Sequence, residues 1–224
     1  MASMNAIPFL SPPRRVRLGA ATACLAVVAL GGGCSLIPTP LPDLTRYYVL
    51  SSSEAPAATA RSTAAPVVNL ASLEVPGYLR TTRNLVIRSA GNEVTFVDGA
   101  RWGEALDVGL ARVLRETLVR EGGASRVVQP PVAAAVTALN PWELRVQVLS
   151  CEGRRRPDGG WGVAFSARYE WVRPGEAGPV SGSGVFTAEE RGWEGRDHGE
   201  LARLLSEAVQ GLGREIAERM GSVP

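Results

Sequence analysis

The sequence predicts an α+β fold, in which a mostly antiparallel β-sheet is covered by two amphipathic helices within a single domain that follows an N-terminal signal segment. Several segments alternate apolar and polar residues with the period of strands, and two long segments repeat apolar residues at helical spacing. A third feature is the basic and then apolar N-terminus, which is set apart from the rest. Sheet and helices must share one core, which the length of the chain allows.

The first segment, residues 1–33, has the residue order of a secretory signal. Three arginines within residues 14–17 precede an uncharged run of small and apolar residues at 18–30. This run is shorter than the roughly 18 to 20 apolar residues that span a bilayer. Three glycines then lead into Cys34, in a pattern that resembles a bacterial lipobox. The resemblance implies cleavage before Cys34 and attachment of lipid to its sulfur.

The lipobox pattern has one departure, because Leu30 stands four places before the cysteine rather than three. A secreted protein that is cut near this point without lipidation is the alternative interpretation. Cysteine usage agrees with lipidation of Cys34, since Cys24 lies in the removed segment and only Cys151 is left inside the folded chain. A lone thiol cannot form an intrachain disulfide, so the domain must be held together by its core.

Composition excludes two classes of function. The chain has 24 basic and 22 acidic residues, and removal of the three signal arginines leaves 21 against 22, a net charge near −1. This balance argues against a nucleic-acid partner. All the basic residues are arginine, so the chain has no P-loop lysine and is not itself an ATPase.

Residues 34–45 form the predicted tether between the lipid and the domain, which we place at residues 46–221. Prolines at alternate positions favour extended polyproline geometry, at about 3.1 Å per residue. About a dozen such residues would hold the domain roughly 30 to 40 Å from its lipid. Residues 51–66 are low in complexity and are predicted to form a mobile loop.

The first half of the domain is predicted to contain four short strands and a helix. The strands, chosen for their β-branched and aromatic content, are residues 46–50, 67–75, 84–89 and 93–97. Pro76 and Gly77 end the second strand, and a turn at residues 90–92 joins the last two as a hairpin. Apolar residues at helical spacing predict a helix over residues 101–120, with Asp98 as its cap.

The second half is predicted to contain a long hairpin, a third strand and a final helix. One face of each hairpin strand is apolar, at Trp142, Leu144, Val146 and Val148 and at Trp161, Val163, Phe165, Ala167, Tyr169 and Trp171. These tryptophans predict core packing rather than a ligand groove. Residues 184–189 extend the sheet, and Asp197 caps a helix whose apolar stripe lies on it.

Residues with catalytic chemistry are sparse. The sole histidine, His198, falls beside the predicted cap of the last helix, where a solvated side chain is expected. The segment SGSG at 181–184 lacks the spacing of a hydrolase elbow, and Glu189 and Glu190 would point to opposite faces of a strand. No cysteine and histidine stand at zinc-ligand spacing. The sequence therefore predicts no enzyme, no metal site and no cofactor.

Three consecutive arginines, Arg154, Arg155 and Arg156, occupy the predicted tip of the long hairpin. One interpretation is contact with anionic lipid headgroups or with an acidic partner. The other is simple solvation, which is common for charged residues in turns. The sequence leaves both open.

Several short motifs follow the cysteine in a fixed order. They are YYxL at Tyr47, Tyr48 and Leu50; VPxYL at Val75, Pro76, Tyr78 and Leu79; a turn asparagine at Asn92; and an Arg-Trp-x-Glu segment at Arg101, Trp102 and Glu104. Together they resemble the ABC-type transport auxiliary lipoproteins of the PqiC (paraquat-inducible) type. Gly103 and Ala105 stand where that family usually has alanine and proline. The resemblance covers most of the mature chain, apart from the arginine-rich hairpin and the loop at 51–66.

The motif residues have two interpretations. They either keep the fold, with Tyr78 and Leu79 covering the edge of the core and with Arg101 and Glu104 on one face of a helix, or they contact a partner through the same exposed face. Trp102 would pack at the start of that helix. The sequence does not separate the two roles.

The resemblance implies a non-enzymatic docking subunit for lipid transport across a two-membrane envelope. The implied partners are an MCE-domain protein, inner-membrane ABC transporter components and membrane lipid through acylated Cys34, and self-association is compatible with this role. Ser35 is not the aspartate that typically retains lipoproteins in the inner membrane, which favours an outer-membrane anchor facing the periplasm. Two alternatives stay open: an assembly factor for an outer-membrane β-barrel or secretin, and a periplasmic lipid-binding module.

Overall fold

The computed structural model describes residues 42–52, 65–89, 92–173 and 180–222. Leu44–Pro224 forms one compact unit. The predicted signal segment, Cys34 and most of the predicted loop at 51–66 lie outside the described residues. Among the helices within the described ranges, none is long and apolar enough to cross a bilayer.

The described residues form eight strands and four helices. The strands are β1 (Arg46–Tyr48), β2 (Val67–Glu74), β3 (Asn84–Arg88), β4 (Val94–Trp102), β5 (Arg126–Val128), β6 (Trp142–Arg155), β7 (Trp161–Arg173) and β8 (Val180–Thr187). The helices are α1 (Gly77–Arg80), α2 (Leu106–Arg120), α3 (Ala134–Thr137) and α4 (His198–Gly221). The sequence did not predict the short elements β5, α1 and α3, because three or four residues carry no periodic signal.

Strand β6 organises the eight-stranded sheet. On one edge it pairs antiparallel with β7, which pairs antiparallel with β8. On its other edge it pairs parallel with β2 near its start and parallel with β3 near its end. Strand β5 lies outside β2, while β4 and then β1 lie outside β3. The predicted α+β class and helix-covered sheet are confirmed, with the longest pairings antiparallel and β1, β2, β3 and β5 adding parallel ones.

A break separates β2 from β3 along the shared edge of β6. The pairing of β2 ends at Glu74 opposite Gln147, and that of β3 resumes at Ile87 opposite Gly153. Pro76 and Gly77 end β2 as predicted, and α1 follows at once. The break leaves room beside Glu152 of β6, which α1 and β3 fill.

The hydrophobic core lies between the sheet and the two long helices. Leu144, Val146 and Val148 of β6 are buried, and the predicted inward face of β7 is buried from Val163 to Trp171. Helix α4 presents its predicted stripe to this face, from fully buried Leu201 to fully buried Ile216. Helix α2 packs beside α4. The predicted core of both amphipathic helices is therefore confirmed.

The SGSG segment of β8 has a packing role. Gly182 pairs with Trp171 and Gly184 with Tyr169 across the β7–β8 ladder. A Cβ atom on Gly184 would lie 2.5 Å from the Tyr169 hydroxyl, and one on Gly182 would overlap the Trp171 ring. The glycines give the two rings room to lie over β8, which explains the segment without a nucleophile.

The start of helix α2 differs from the prediction. Strand β4 continues to Trp102, so Arg101 and Trp102 belong to a strand and the helix begins at Leu106. Gly99 adopts a φ of 68°, which lets the strand kink and then resume its pairing. The predicted cap Asp98 therefore lies in β4, and Arg101 and Glu104 do not share a helical face.

The start of helix α4 agrees with the prediction. The Asp197 carboxylate Oδ1 accepts hydrogen bonds from the backbone N–H groups of Gly199 at 2.9 Å and of Glu200 at 3.1 Å. This is the N-cap geometry that satisfies otherwise unpaired donors of a helix. The cap fixes where α4 begins, and with it the positions of the side chains described below.

Candidate functional site

The N-terminal segment, Leu44–Ser52, enters the domain as the edge strand β1. It pairs parallel with β4, with Tyr47 opposite Arg101 and Tyr48 opposite Trp102. The backbone N–H of Gly103 donates to the Tyr48 carbonyl at 2.7 Å. Two of the sequence motifs, YYxL and Arg-Trp-x-Glu, therefore lie side by side. The second motif holds the first in place.

Glu104 also helps to fix the N-terminal segment, through an arginine of α2. The Arg112 guanidinium donates to the Leu50 carbonyl at 2.7 Å and to Glu104 Oε1 at 2.5 Å. The hydrogen bond with Glu104 raises the pKa of Arg112, so its charge is fixed. Gly109 leaves space for the Glu104 carboxylate, because a Cβ atom there would lie 3.1 Å from Oε1. Leu50 is buried in the core.

Helix α4 binds both backbone groups of Ser51. The Ser51 N–H donates to Ser206 Oγ at 3.0 Å, and Gln210 Nε2 donates to the Ser51 carbonyl at 3.0 Å. Ser206 and Gln210 are 2% and 7% exposed, so these are buried polar side chains with a partner. We call Gly103, Glu104, Arg112, Ser206 and Gln210 together the clamp, a set of backbone and side-chain groups that fix residues 48–51.

His198 packs against the same segment. Its ring lies 6.4 Å from that of Tyr48 and 6.0 Å from that of Trp193. Burial lowers the pKa of His198, although neighbouring Asp197 acts in the opposite direction. The expected solvated side chain is thus wrong, because His198 is half-buried among aromatic rings.

The outward face of the N-terminal segment is exposed and apolar. Tyr47 is 59% exposed and Val49 is 57% exposed, and Arg101, which pairs with Tyr47, is exposed as well. The inward residues Trp102 and Leu50 are buried. Strand alternation therefore divides these residues into two sets. The inner set, Leu50 and Trp102, packs in the core, and the outer set, Tyr47, Val49 and Arg101, faces solvent.

A second cluster lies in the break between β2 and β3, and we call Tyr78, Arg88 and Glu152 the Glu152 cluster. The Glu152 side chain is fully buried, and Arg88 Nε lies 2.5 Å from its Oε1. The Tyr78 hydroxyl donates to Glu152 Oε2 at 2.6 Å and accepts from Arg88 Nη2 at 2.9 Å. The buried carboxylate therefore has an ionic and a neutral partner, as such groups require.

Tyr78 is held from several sides. Burial and then the hydrogen bond to Glu152 raise its pKa to about 12, so the hydroxyl keeps its proton. The Arg88 guanidinium lies over the Tyr78 ring, 5.3 Å from its centre. Leu79 is buried beside it and Pro76 is half-buried. The VPxYL motif thus covers a charged side chain of β6, a more specific role than the predicted cover of the core edge.

The prediction that all three consecutive arginines lie in a turn is wrong. Arg154 and Arg155 are the last residues of β6, both exposed, and Arg156 begins the turn. The Arg155 guanidinium lies 4.5 Å from the centre of the Trp161 ring, and Arg156 Nε lies 3.5 Å from Asp158. Long pairing between β6 and β7 extends the strand beyond the predicted end.

The other predicted residues have simple positions. Asn92 is exposed in the predicted β3–β4 turn, and Cys34 lies outside the described residues. Cys151 is buried, and burial raises the pKa of its thiol, which does not favour a nucleophilic thiolate. Within the described part of the chain, no group of three or more histidine, cysteine or acidic residues is arranged to hold a metal ion.

Sequence reasoning missed five residues that the structure makes important: Arg88, Arg112, Glu152, Ser206 and Gln210. Ser206 and Gln210 lie beside the predicted apolar stripe of α4, where polar residues normally face solvent. Glu152 stands just before the predicted tip of the long hairpin, where the sequence pattern does not indicate a buried side chain. The partners of these residues are distant in the sequence, so no local pattern identifies them.

The chain is similar to a known protein family and to solved structures. The family model described as ABC-type transport auxiliary lipoprotein component matches residues 48–217. A crystal structure of an uncharacterized protein is similar with a TM-score of 0.58 and 18% identity, over 78% of this chain and 97% of that one. The structure of XCC0632 from Xanthomonas campestris, of the family DUF330, is similar with a TM-score of 0.59 and 12% identity, over 77% and 93% of the two chains. No curated protein sequence matches.

Proposed function

This chain belongs to the ABC-type transport auxiliary lipoprotein component family, and we propose that it is a non-enzymatic docking subunit of an intermembrane lipid transport system. Membership makes it a cell-envelope lipoprotein of an ABC-type transport system. The proposal adds three elements: a lipid on Cys34, an MCE-domain protein as the docking partner, and an outer-membrane anchor that faces the periplasm. Ser35 after Cys34 supports the last of these.

The clamp is the observation that carries the proposal. Residues 48–51 follow the predicted tether closely, and four hydrogen bonds fix their backbone groups to Gly103, to α2 and to α4. A tether that is fixed in this way confines the whole domain near the membrane and raises its effective concentration at a partner there. The clamp therefore supports a function in which the domain is held at a membrane.

The ionisable residues support a binding role rather than catalysis. Glu104 is neutralised by Arg112, and Glu152 by Arg88. The raised pKa values of Tyr78, at about 12, and of Cys151 disfavour a reactive phenolate or thiolate. Enzyme sites move such groups toward the working pH, whereas these move away from it.

The outer set of motif residues is the proposed docking face. Tyr47 and Arg101 lie side by side, exposed, on the edge pair β1–β4. Tyrosine and arginine are enriched at binding hot spots, and the neighbouring Val49 adds apolar area. The inner set positions this face. Asn92 precedes β4, at the other end of the strand from Arg101, and is therefore not part of this docking face. Self-association of the domain around the partner is part of the same proposal.

The proposal is tested by a crosslinked, detergent-solubilised pull-down of the full-length protein from its own envelope, with bound proteins identified by mass spectrometry. The wild type is expected to recover an MCE-domain protein, and Cys34→Ala is expected to recover less. Tyr47→Ala combined with Arg101→Ala is expected to lose the partner while the lipid stays. Val185→Ala, an exposed residue of β8, is the matched control and should recover the partner normally.

Recovery of only a β-barrel or a secretin would contradict the docking role and favour an assembly factor. Recovery of no MCE-domain protein with intact, lipidated wild type would contradict it as well. Lipid that co-purifies with the domain in a fixed ratio, without a protein partner, would favour the lipid-binding module.

A further inference from the structure

We propose that the end of the sheet that bears Arg154, Arg155 and Trp161 rests on the anionic phospholipid surface of the membrane that holds the anchor. This inference adds an orientation of the domain on the bilayer, and it rests on the lipidation of Cys34 within the proposed function. We call this end, formed by residues 154–161 and by Asn92, the basic end.

The topology brings the two turns to one end. Strands β3 and β6 run parallel, with Arg88 opposite Arg154, so the chain leaves both strands at the same end of the sheet. The turn at Asn92 follows β3, and the turn at residues 156–160 follows β6. The basic end is therefore a continuous edge of the sheet, and two exposed arginines stand on it.

The direction of β1 indicates that the chain enters this strand from the side of the basic end. Strand β4 starts at the basic end, since Val94 pairs with Arg88, and β1 runs parallel to β4 with Arg46 opposite Ala100. Residues that precede Arg46 therefore approach from the side of the basic end. If the tether approached from the opposite end, β1 would have to run antiparallel to β4.

The length of the tether matches this orientation. From Ala100 to Val94 the strand covers about 20 Å, at about 3.3 Å per residue. From Cys34 to Arg46 the chain covers at most about 37 Å in polyproline geometry, at about 3.1 Å per residue. The anchor can therefore sit in the bilayer while the basic end touches its surface, with about 17 Å of slack in the tether.

The side chains at the basic end suit an anionic headgroup layer. Three arginines and two acidic residues, Asp158 and the exposed Glu93, lie at this end. Among the described residues, Arg156 forms an ion pair with Asp158, and the other ion pairs involve neither Arg154 nor Arg155. Arg155 is supported by the half-buried Trp161 ring at 4.5 Å. Arginine and tryptophan are the residues that combine charge attraction with an amphipathic ring at the headgroup level. The opposite end of β6 also has an arginine over a tryptophan, Arg173 over Trp142 at 5.6 Å, and the exposed Arg126 nearby. The direction of β1 is what distinguishes the two ends.

The test uses full-length lipidated protein in vesicles, with a nitroxide on one introduced cysteine. Pro157→Cys places the label on the basic end, and Leu139→Cys places it at the opposite end of β6, where Leu139 is 60% exposed. Cys151 is buried and Cys34 would be acylated, so the introduced thiol is the reactive one. Paramagnetic relaxation by lipid-soluble and water-soluble agents then reports whether the label lies in the headgroup layer.

The expected result is headgroup contact of the Pro157→Cys label, but not of the Leu139→Cys label, in phosphatidylethanolamine vesicles that contain phosphatidylglycerol. The contact should weaken between about 0.01 M and about 1 M salt, because the screening length falls from about 30 Å to about 3 Å. Arg154→Gln with Arg155→Gln should lower the bound fraction of the label about tenfold or more. Arg126→Gln with Arg168→Gln removes the same charge from exposed positions elsewhere and should leave it unchanged.

Contact of the Leu139→Cys label, of both labels equally, or of neither would overturn the orientation. So would contact that persists without phosphatidylglycerol. The orientation and the proposed function can fail independently. The pull-down detects a protein partner, whereas the vesicles contain no partner protein. Contact in vesicles with no MCE-domain protein recovered would keep the orientation and contradict the docking role.

Discussion

The clamp and the Glu152 cluster both hold motif residues, but they differ in charge and in what they hold. The Glu152 cluster surrounds one fully buried carboxylate with Arg88 and Tyr78. The clamp uses partly exposed Glu104 and Arg112 and the neutral side chains of Ser206 and Gln210, and it acts on backbone groups of the N-terminal segment. The first fixes two strands of the core, and the second fixes residues 48–51, which follow the predicted tether.

The two groups of residues therefore have different roles. The Glu152 cluster stabilises the whole fold, and the clamp attaches the N-terminal segment to it. Loss of a partner from the Glu152 cluster leaves a charge in the core, which affects the folding of the whole domain. Loss of a clamp hydrogen bond frees a few residues at the edge of the sheet, which can open while the rest stays folded. The VPxYL motif therefore serves the fold. In the proposed function, the YYxL and Arg-Trp-x-Glu motifs serve the connection to the membrane.

The largest effect is expected from Arg88→Met. It keeps the length of the side chain but leaves Glu152 buried with Tyr78 alone, so the free energy of unfolding should fall by about 3 kcal/mol. Urea denaturation of the full mature chain measures this. Arg145→Met is the matched control, because Arg145 also forms ion pairs, with Glu143 and Glu170, but on the exposed face of the sheet. It should leave stability unchanged within error.

The double substitution Arg88→Met with Glu152→Leu sharpens the same comparison. Removing both charges should restore most of the stability lost in Arg88→Met, because no buried charge remains. A double variant as unstable as Arg88→Met would show that the packing of Arg88 on Tyr78, rather than the charge, matters.

A smaller effect is expected from Ser206→Ala with Gln210→Leu. Each substitution removes one hydrogen bond to Ser51, so together they should lower the free energy of unfolding by about 1 to 2 kcal/mol. Cleavage by a protease within residues 44–52 should increase more than this loss of stability accounts for. Ser150→Ala, which removes a hydrogen bond with Ser166 on the sheet, is the control and should not expose the N-terminal segment. Equal cleavage of both variants would contradict a local clamp.

The smallest expected effect concerns the Glu152 cluster and is a loss of stability at alkaline pH. The folded-state pKa of Tyr78 is raised to about 12 from its usual value near 10. The stability from its neutral hydroxyl is fully present below pH 10 and is lost as the pH rises toward 12, because the unfolded chain ionises first. Tyr169, with a pKa of about 12, and Cys151, whose pKa burial also raises, act in the same direction.

Tyr78→Phe should make the loss of stability between pH 10 and pH 12 shallower than in the wild type. The chain has no lysine, so few other groups titrate in this range. Thermal unfolding at a series of pH values measures the slope. An unchanged slope would mean that the folded domain does not raise the pKa of Tyr78 by burial and by its hydrogen bond to Glu152.

Prediction from the sequence succeeded where a long periodic pattern decides the structure. The hairpin of β6 and β7, helix α4 with its Asp197 cap, and the β3–β4 hairpin follow from local patterns and turn residues. The predicted helix start at Arg101 was wrong because pairing of β4 with β1 and β3, a contact between distant segments, outweighs the helical spacing.

The clamp could not be predicted for a related reason. Ser51 and Gln210 are 159 residues apart, and Arg88 and Glu152 are 64 apart. A polar residue beside an apolar stripe reads as solvent-facing until its distant partner is known. The functional role of the motif residues stays a prediction. The sequence left the strand alternation at 101–104 unresolved, and the structure shows that Tyr47 and Arg101 face outward while Trp102 packs in the core.

Hydrogen–deuterium exchange of the full-length protein tests the central claim most directly. The backbone amide of Ser51 donates to Ser206 in the clamp, so the peptide that covers residues 48–52 should exchange as slowly as the core strands. In Ser206→Ala with Gln210→Leu, this peptide alone should exchange much faster. Exchange of the wild-type peptide within seconds, as in a free chain, would contradict the account, because the domain would then hold no fixed tether.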